Sequence, residues 1–227
     1  YWFVKDFKET AKTGEHVWLQ FRGVNYKYDV FLNGKKLNKK VHEGMLLRNQ
    51  FNITGYLSKE GNNRLAVLVF PPDIPGNPNG GQGGDGTIAK NLTTQYTAGW
   101  DWIQPIRDRN TGIWDKVFIE KTNAVDIRNP HIVTVVPGVR KPYDAKQAPA
   151  TIKLSAELTN VSNQTVNGVL QYPIPPPLIS KTVTLAPDKT SIVELPDFVL
   201  ENPKLWWPNG YGPQNLYNIK LLFVSAN

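Results

Sequence analysis

The chain has 227 residues, 40% of them hydrophobic, which is long enough to bury one large core or two smaller ones and too apolar for disorder. Its net charge of +7 raises the question of nucleic acid. The lysines are scattered apart from "NGKKLNKK" at 33–40, however, and no nucleic-acid-binding motif occurs. Cysteine is absent, which excludes disulfides, thiolate nucleophiles and cysteine-based metal sites; no run approaches ~18 consecutive apolar residues, so no membrane-spanning helix is expected.

The first residues, "YWFVKDFKET", read as a strand and not as a signal peptide, so the chain is expected to begin inside a fold. Period-2 alternation then dominates. "VWLQFRGV" places Val17, Leu19 and Phe21 on one face, and "YDVFLNGKKL" repeats this with Tyr28, Val30 and Leu32. The second run turns at Asn33-Gly34, a pair that tolerates the positive φ angles of a type I′ hairpin. "RLAVLVF" (64–70) is apolar on both faces, as a central sandwich strand would be. It stops at Pro71-Pro72, which cannot donate ladder hydrogen bonds.

"PPDIPGNPNGGQGGDG" (71–86) is dominated by Gly and Pro and predicts a long loop reaching about residue 94. Loops of this length inside compact domains are usually functional or disordered. This one leads into "QYTAGWDWIQPIRDRNTGIWDKV" (95–117). Two readings suit Trp100-Asp101-Trp102. The tryptophans can be core, with Asp101 capping a turn. Alternatively, an indole offers a flat wall to the C–H face of a sugar and an ionised carboxylate accepts from its hydroxyls. Arg107, Asp108 and Arg109 are candidates for carboxylate–guanidinium pairs that fix the segment, and Gln82 and Asp85 sit among glycines that let backbone approach a ligand closely.

"GIWDKVFIEKT" restores alternation through Ile113, Val117 and Ile119, and a boundary is expected near "NAVDIRNP" (123–130). "HIVTVV", "TIKLSAELTN", "ISKTVTLA", "SIVELP" and "LYNIKLLFV" then read as the short strands of a second sandwich. In "ATIKLSAELTN", Ile152, Leu154, Ala156 and Leu158 point in, while Lys153, Ser155 and Glu157 point out. "YPIPPPLI" (172–179) reads as a stiff connection between strands. Four sequons occur, at Asn52, Asn91, Asn160 and Asn163. His16, His42 and His131 are far apart, no phosphate-binding or dinucleotide fingerprint is present, and no nucleophile elbow occurs. No cofactor and no metal are expected.

These motifs resemble the non-catalytic N-terminal part of glycoside hydrolase family 2 enzymes. "FRGVNYKYDVFLNGKKL", "HEGMLLRNQFNITGYL" and "GNNRLAVLV" look like that family's jelly-roll sugar-binding domain. "GGQGGDGTIAKNLTTQYTAGWDWIQPIRDRNTGIWD" is similar to the branch of endo-β-mannosidases, β-mannosidases and exo-β-glucosaminidases. "NPKLWWPNGYGPQNLYNIKL" resembles the family's immunoglobulin-like domain, where Trp206 and Trp207 are expected to pack the second sandwich or its junction with a barrel.

The resemblance implies an all-β fold: a jelly-roll, galactose-binding-like sandwich over 1–124, lacking its first strand, and an immunoglobulin-like sandwich over 125–227, incomplete at its C-terminal end. It implies a parent that continues into a (β/α)8 barrel with two catalytic glutamates, about 5 Å apart in a retaining mechanism. No catalytic residue is therefore expected in this chain. It also implies that Trp100 and Asp101 line the glycone pocket, with Gln82, Asp85, Arg107, Asp108 and Arg109 as supporting loop residues. The implied partners are a β-mannoside or related β-glycoside and the barrel of the same parent, with neither nucleic acid nor membrane. The implied location is extracytoplasmic: secreted, periplasmic or vacuolar. The match of "GGQGGD" and "GWDWIQPIRDRNTGIW" leans toward β-mannoside, with β-galactoside and β-glucuronide still open; the charge of +7 would repel cationic chitosan at low salt, a weak argument because a barrel could reverse the net charge. Two other readings stay open, a free-standing lectin and a structural module without sugar contact.

Overall fold

The computed structural model describes residues 1–74, 86–87, 90–91, 93, 111–173 and 178–226. These fall into two compact units, Tyr1–Thr122 and Asn123–Asn227. The all-β class expected from the alternation is what is observed, with one 3-10 turn at Thr54–Tyr56 among the described residues.

The first unit contains β1 (Trp2–Lys8), β2 (His16–Phe21), β3 (Val24–Asn25), β4 (Lys27–Leu32), β5 (Lys35–Lys36), β6 (His42–Glu43), β7 (Asn49–Asn52), β8 (Asn62–Phe70), β9 (Gly112–Ile113) and β10 (Val117–Thr122). One sheet has the order β1-β8-β4-β5, with β6 also on β4; a second has β10-β2-β7; β3 and β9 form a short ribbon. All the pairings are antiparallel. The inward residues of both sheets make one core: Val17, Leu19 and Phe21 from β2, Tyr28, Val30 and Leu32 from β4, and Leu65, Val67 and Val69 from β8.

Local chemistry explains the register. The β4–β5 hairpin turns at Asn33 (φ 51°) and Gly34 (φ 80°), the positive pair that a type I′ turn requires. Asn33 also joins a side-chain knot. Its amide donates to Asn63 Oδ1 at 2.9 Å, while buried Asn63 donates to the carbonyls of Glu9 and Gly61. "RLAVLVF" is central, paired with β1 on one side and β4 on the other. Only its Leu65, Val67 and Val69 face is fully buried; Ala66, Leu68 and Phe70 stay half-exposed. Between β1 and β10 lies an apolar groove of about 360 Å³ whose walls include Phe3, Phe7, Leu19 and Ile113.

The second unit contains β11 (Val125–Val135), β12 (Ala150–Asn160), β13 (Val166–Tyr172), β14 (Ile179–Leu185), β15 (Thr190–Glu194), β16 (Phe198–Leu200) and β17 (Leu222–Ser225). One sheet runs β11-β12-β15, with β16 also on β12, and faces β14-β13-β17. Leu154, Ala156 and Leu158 of β12 pack with Leu170, Val183 and Leu185 from the other sheet, the alternation read from the sequence. The expected strand "LYNIKLLFV" is shorter, with pairing confined to Leu222–Ser225. Trp206 is exposed rather than packed in the sandwich, while Trp207 lies against Gly212.

Asn160, one of the sequon asparagines, is fully buried. It donates to the carbonyls of Gln164 (2.7 Å) and Leu185 (2.9 Å) and accepts from the amide and hydroxyl of Ser162. A side chain so engaged is a structural joint between β12 and β14, not an accessible glycan acceptor. Asn160→Ala leaves several buried backbone groups unsatisfied and is expected to cost about 2–3 kcal/mol, read as a lower urea midpoint with an unchanged m-value.

Candidate functional site

The sequence reading places the site in the segment between β8 and β9. Trp100 and Asp101, with Gln82, Asp85, Arg107, Asp108 and Arg109, lie outside the described residues, as does Trp102. What the structure does describe is where that segment leaves and rejoins the first sandwich, and the side chains that fix those points.

The exit is held by a charge cluster. Register puts Lys27 of β4 opposite Phe70 of β8 and Glu43 of β6. Its ammonium ion-pairs with Asp73, just past Pro71-Pro72, and lies 3.6 Å from Glu43. The bond to Asp73 raises the Lys27 pKa above the ordinary lysine value. One residue further, the Ile74 amide donates to the buried Asn91 side chain, and the Lys90 and Asn91 amides both donate to the Ile74 carbonyl at 2.9 and 3.2 Å. Asn91 is the second sequon asparagine that is buried. Thr93 is also buried.

The return is held by Trp114. The ribbon pairs Val24 with Ile113 and Asn25 with Gly112. The Trp114 and Asp115 amides both donate to the Gly23 carbonyl, at 3.2 and 3.4 Å. The indole lies flat on the backbone at Gly23, where an added Cβ would come within 2.3 Å of Cε2. Its N–H donates to the Met45 carbonyl at 3.0 Å. Glycine at 23 is thus required by close approach of a ring.

Beside the exit, Tyr28 and His42 stack with ring centroids 5.3 Å apart, and Phe51 meets His42 edge-on at 5.2 Å. Asn49 donates to the Tyr28 hydroxyl at 2.7 Å, and burial pushes that phenol up to about 12. Behind them, buried Asp29 is met by the Asn38 amide and by Lys36, each at 2.8 Å. Burial lowers the His42 pKa below its ordinary 6.5, and the Asp29 charge opposes this only in part. The folded state therefore prefers neutral His42. Its contribution is full above pH 6.5 and is lost as pH falls through the depressed folded value. Thermal unfolding of the chain is expected to move to lower temperature between about pH 7 and 5. His42→Phe, which keeps the stacking, should flatten that slope. The window matters, because Asp6, Glu9 and Glu15, whose pKa values are lowered by Arg64, Lys121 and the Lys12 amide respectively, lose their contributions only below their ordinary values of 3.8 to 4.5.

Among the described residues no cluster of His, Asp or Glu could hold a metal ion, and no helix is long and apolar enough to cross a membrane. The sequence reading did not single out Lys27, Asp73 or Trp114, and noted Asn91 only as a sequon asparagine. Asp73 follows the Pro-Pro stop and Asn91 stands in a sequon, but their partners are distant in sequence.

Residues 1–115 match the family model for the glycosyl hydrolase 2 galactose-binding domain-like region, and 134–227 match the model for glycosyl hydrolases family 2. A mannosylglycoprotein endo-β-mannosidase from Lilium longiflorum is 38% identical over 97% of this chain and 24% of its own length. An exo-β-D-glucosaminidase from Streptomyces avermitilis is 30% identical over 97% of this chain and 22% of its own. The crystal structure of the exo-chitosanase from Amycolatopsis orientalis superposes with a TM-score of 0.76, at 27% identity, over 99% of this chain and 24% of that one. The chain spans about a quarter of the length of the relatives it matches.

Proposed function

The chain belongs to glycosyl hydrolase family 2, and on that premise we propose that it is the sugar-binding, non-catalytic segment of a retaining β-glycosidase acting on β-mannosides. The observation that carries this reading is the tandem match of two family models, over 1–115 and 134–227, in a chain that covers a quarter of its relatives. In this reading the jelly roll extends to about residue 124 and the immunoglobulin-like sandwich starts at 125. The three relatives named above are, by name, a mannosidase, a glucosaminidase and a chitosanase, and the highest identity among them is to the mannosidase.

Trp100 and Asp101 contribute to the glycone pocket of the parent. The carboxylate accepts from two sugar hydroxyls and the indole covers the C–H face. Gln82, Asp85, Arg107, Asp108 and Arg109 support the segment that carries them. The anchoring of Ile74 and Trp114 supports the reading, because a binding segment is useful only when its ends are fixed on a rigid scaffold. The partners are then a β-mannoside and a catalytic barrel of the same parent, working outside the cytoplasm.

The test is a substrate panel. The 227-residue chain alone should show no turnover of aryl β-mannoside, β-glucosaminide or β-galactoside. A full-length parent should cleave the β-mannoside with a kcat/KM at least tenfold above the others. Preference for the glucosaminide would replace the substrate assignment, and turnover by the chain alone would overturn the non-catalytic role.

A further inference from the structure

We infer that Asn209 is a site of self-modification: the Gly210 amide converts it to aspartate and isoaspartate through a cyclic imide, while the fold protects Asn33 and Asn167 from the same reaction. The inference is independent of the carbohydrate reading above. It rests on the different settings of three Asn-Gly pairs within the described residues, at 33–34, 167–168 and 209–210. A fourth pair, at 79–80, lies outside them.

Asparagine is a thermolabile side chain, and glycine after it leaves the next backbone nitrogen unshielded by a Cβ. Hydroxide removes the Gly210 amide proton, and the nitrogen attacks Asn209 Cγ. The N–Cγ bond forms, the Cγ–Nδ2 bond breaks, and Nδ2 leaves as ammonia after taking a proton from water. Water then opens the succinimide at one of its two carbonyls. One opening restores the main chain as aspartate. The other leaves the main chain running through Cβ and Cγ, as isoaspartate. Water is the only co-reactant, and no electrons are exchanged.

The attack needs a side chain free to turn its Cγ onto the next nitrogen. Asn33 is not free. Its amide donates to the Tyr56 carbonyl and to Asn63 Oδ1, and its oxygen accepts from the Arg64 amide, all at 2.9 Å. Asn167 is held as well. Its Oδ1 accepts from the Thr184 hydroxyl at 2.7 Å, and Gly168 is paired with β14 on one side and β17 on the other. Reaction at either residue first requires these bonds to break, which adds to the barrier. Asn209 and Gly210 are both exposed. Among the described residues the Asn209 side chain makes no hydrogen bond and the Gly210 amide donates none; the turn is closed past them, by the Tyr211 amide on the Pro208 carbonyl at 3.0 Å. Gly210 has φ 85°, and nothing stands within 4 Å of where its Cβ would be. The product places a negative charge at the tip of this turn, and isoaspartate lengthens the main chain inside the closure. The same loop fixes Trp206 through its bridge to Gln214 and Trp207 through its amide on the Pro213 carbonyl, so modification loosens the setting of both rings.

The experiment incubates the 227-residue chain at mildly alkaline pH, folded in buffer and unfolded in urea side by side. Peptides are then mapped by mass spectrometry, with isoaspartate distinguished from aspartate by backbone fragmentation. In the folded chain Asn209 is expected to convert at least about tenfold faster than Asn33 and Asn167. In urea the three rates should converge to within about threefold, because the protecting bonds are gone. Gly210→Ala sets a methyl beside the attacking nitrogen in an exposed turn and should slow conversion of Asn209 about tenfold. Conversion of Asn33 or Asn167 as fast as that of Asn209 in the folded chain would overturn the inference. So would an Asn209 that stays intact when folded yet reacts in urea, or a rate unchanged by Gly210→Ala.

Discussion

Replacing Asp101 with Asn in a full-length parent is expected to lower kcat/KM on a β-mannoside by about a hundredfold to a thousandfold. The side chains have nearly the same shape, so the change isolates charge. An ionised carboxylate accepts two charge-assisted bonds from sugar hydroxyls, each worth about 1.5–3 kcal/mol. An amide offers one neutral acceptor and presents a donor where an acceptor is needed. The net loss of about 3–4 kcal/mol corresponds to that range in kcat/KM. The two kinetic constants separate the roles further. A rise in KM alone means that Asp101 holds ground state and transition state equally. A fall in kcat means that its bonds strengthen as the ring distorts toward the oxocarbenium-like state. A change smaller than threefold would leave recognition to the rest of the parent and favour the structural-module reading. Asp101→Ala should cost at least as much.

Phe21→Ala is expected to be the largest single loss of stability in the first unit, about 3–5 kcal/mol. Phe21 is 1% exposed and sits where the two sheets meet. Its ring lies 5.4 Å from that of Tyr28 on the opposite sheet and meets Phe51 edge-on at 5.9 Å. Truncation removes the transfer term and both aromatic contacts, and leaves a cavity that β-sheets relax into poorly. Tyr28 also carries the His42 stack beside Lys27, so the same change should loosen the exit of the 75–110 segment. Chemical denaturation with m-value analysis would read the loss, and limited proteolysis between residues 75 and 110 would read the loosening. A loss under about 1 kcal/mol would mean that the core repacks around the shortened side chain and does not depend on this ring.

The sandwiches were legible in the sequence because a half-buried strand writes its burial as a period of two. Val17, Leu19 and Phe21, or Ile152, Leu154, Ala156 and Leu158, need no tertiary information to be read. The Asn33-Gly34 turn is equally local, since its φ values are demanded by two adjacent residues. Strand β13 was missed. "VNGVLQY" is interrupted by Gly168, and glycine ordinarily weakens a strand. The reason for the glycine lies on β17: a Cβ at 168 would come within 2.4 Å of Phe223 and 2.5 Å of the Val224 carbonyl. Such a constraint is set by a neighbour distant in the chain and leaves no local periodic trace.

The site divides in the same way. The Gly/Pro loop and the Trp-Asp-Trp run stand out by composition. The residues that hold its ends do not. Lys27 reads as one more surface lysine until the ladder sets it between Asp73 and Glu43. Trp114 carries no local signal until Gly23 and the Met45 carbonyl are seen to hold its ring. Asn91 and Asn160 stand in sequons, and burial and hydrogen bonding commit both to structure. In each case the sequence supplies the residue type and the fold supplies the partner.

The most direct test of the central claim is a crystal structure of a full-length parent with a mannose-configured inhibitor in its glycone pocket. The account predicts the Asp101 carboxylate at about 2.6–3.0 Å from two sugar hydroxyls and the Trp100 ring against the C–H face. A glycone held entirely by residues outside 1–227, with Trp100 and Asp101 turned away from it, would contradict the account.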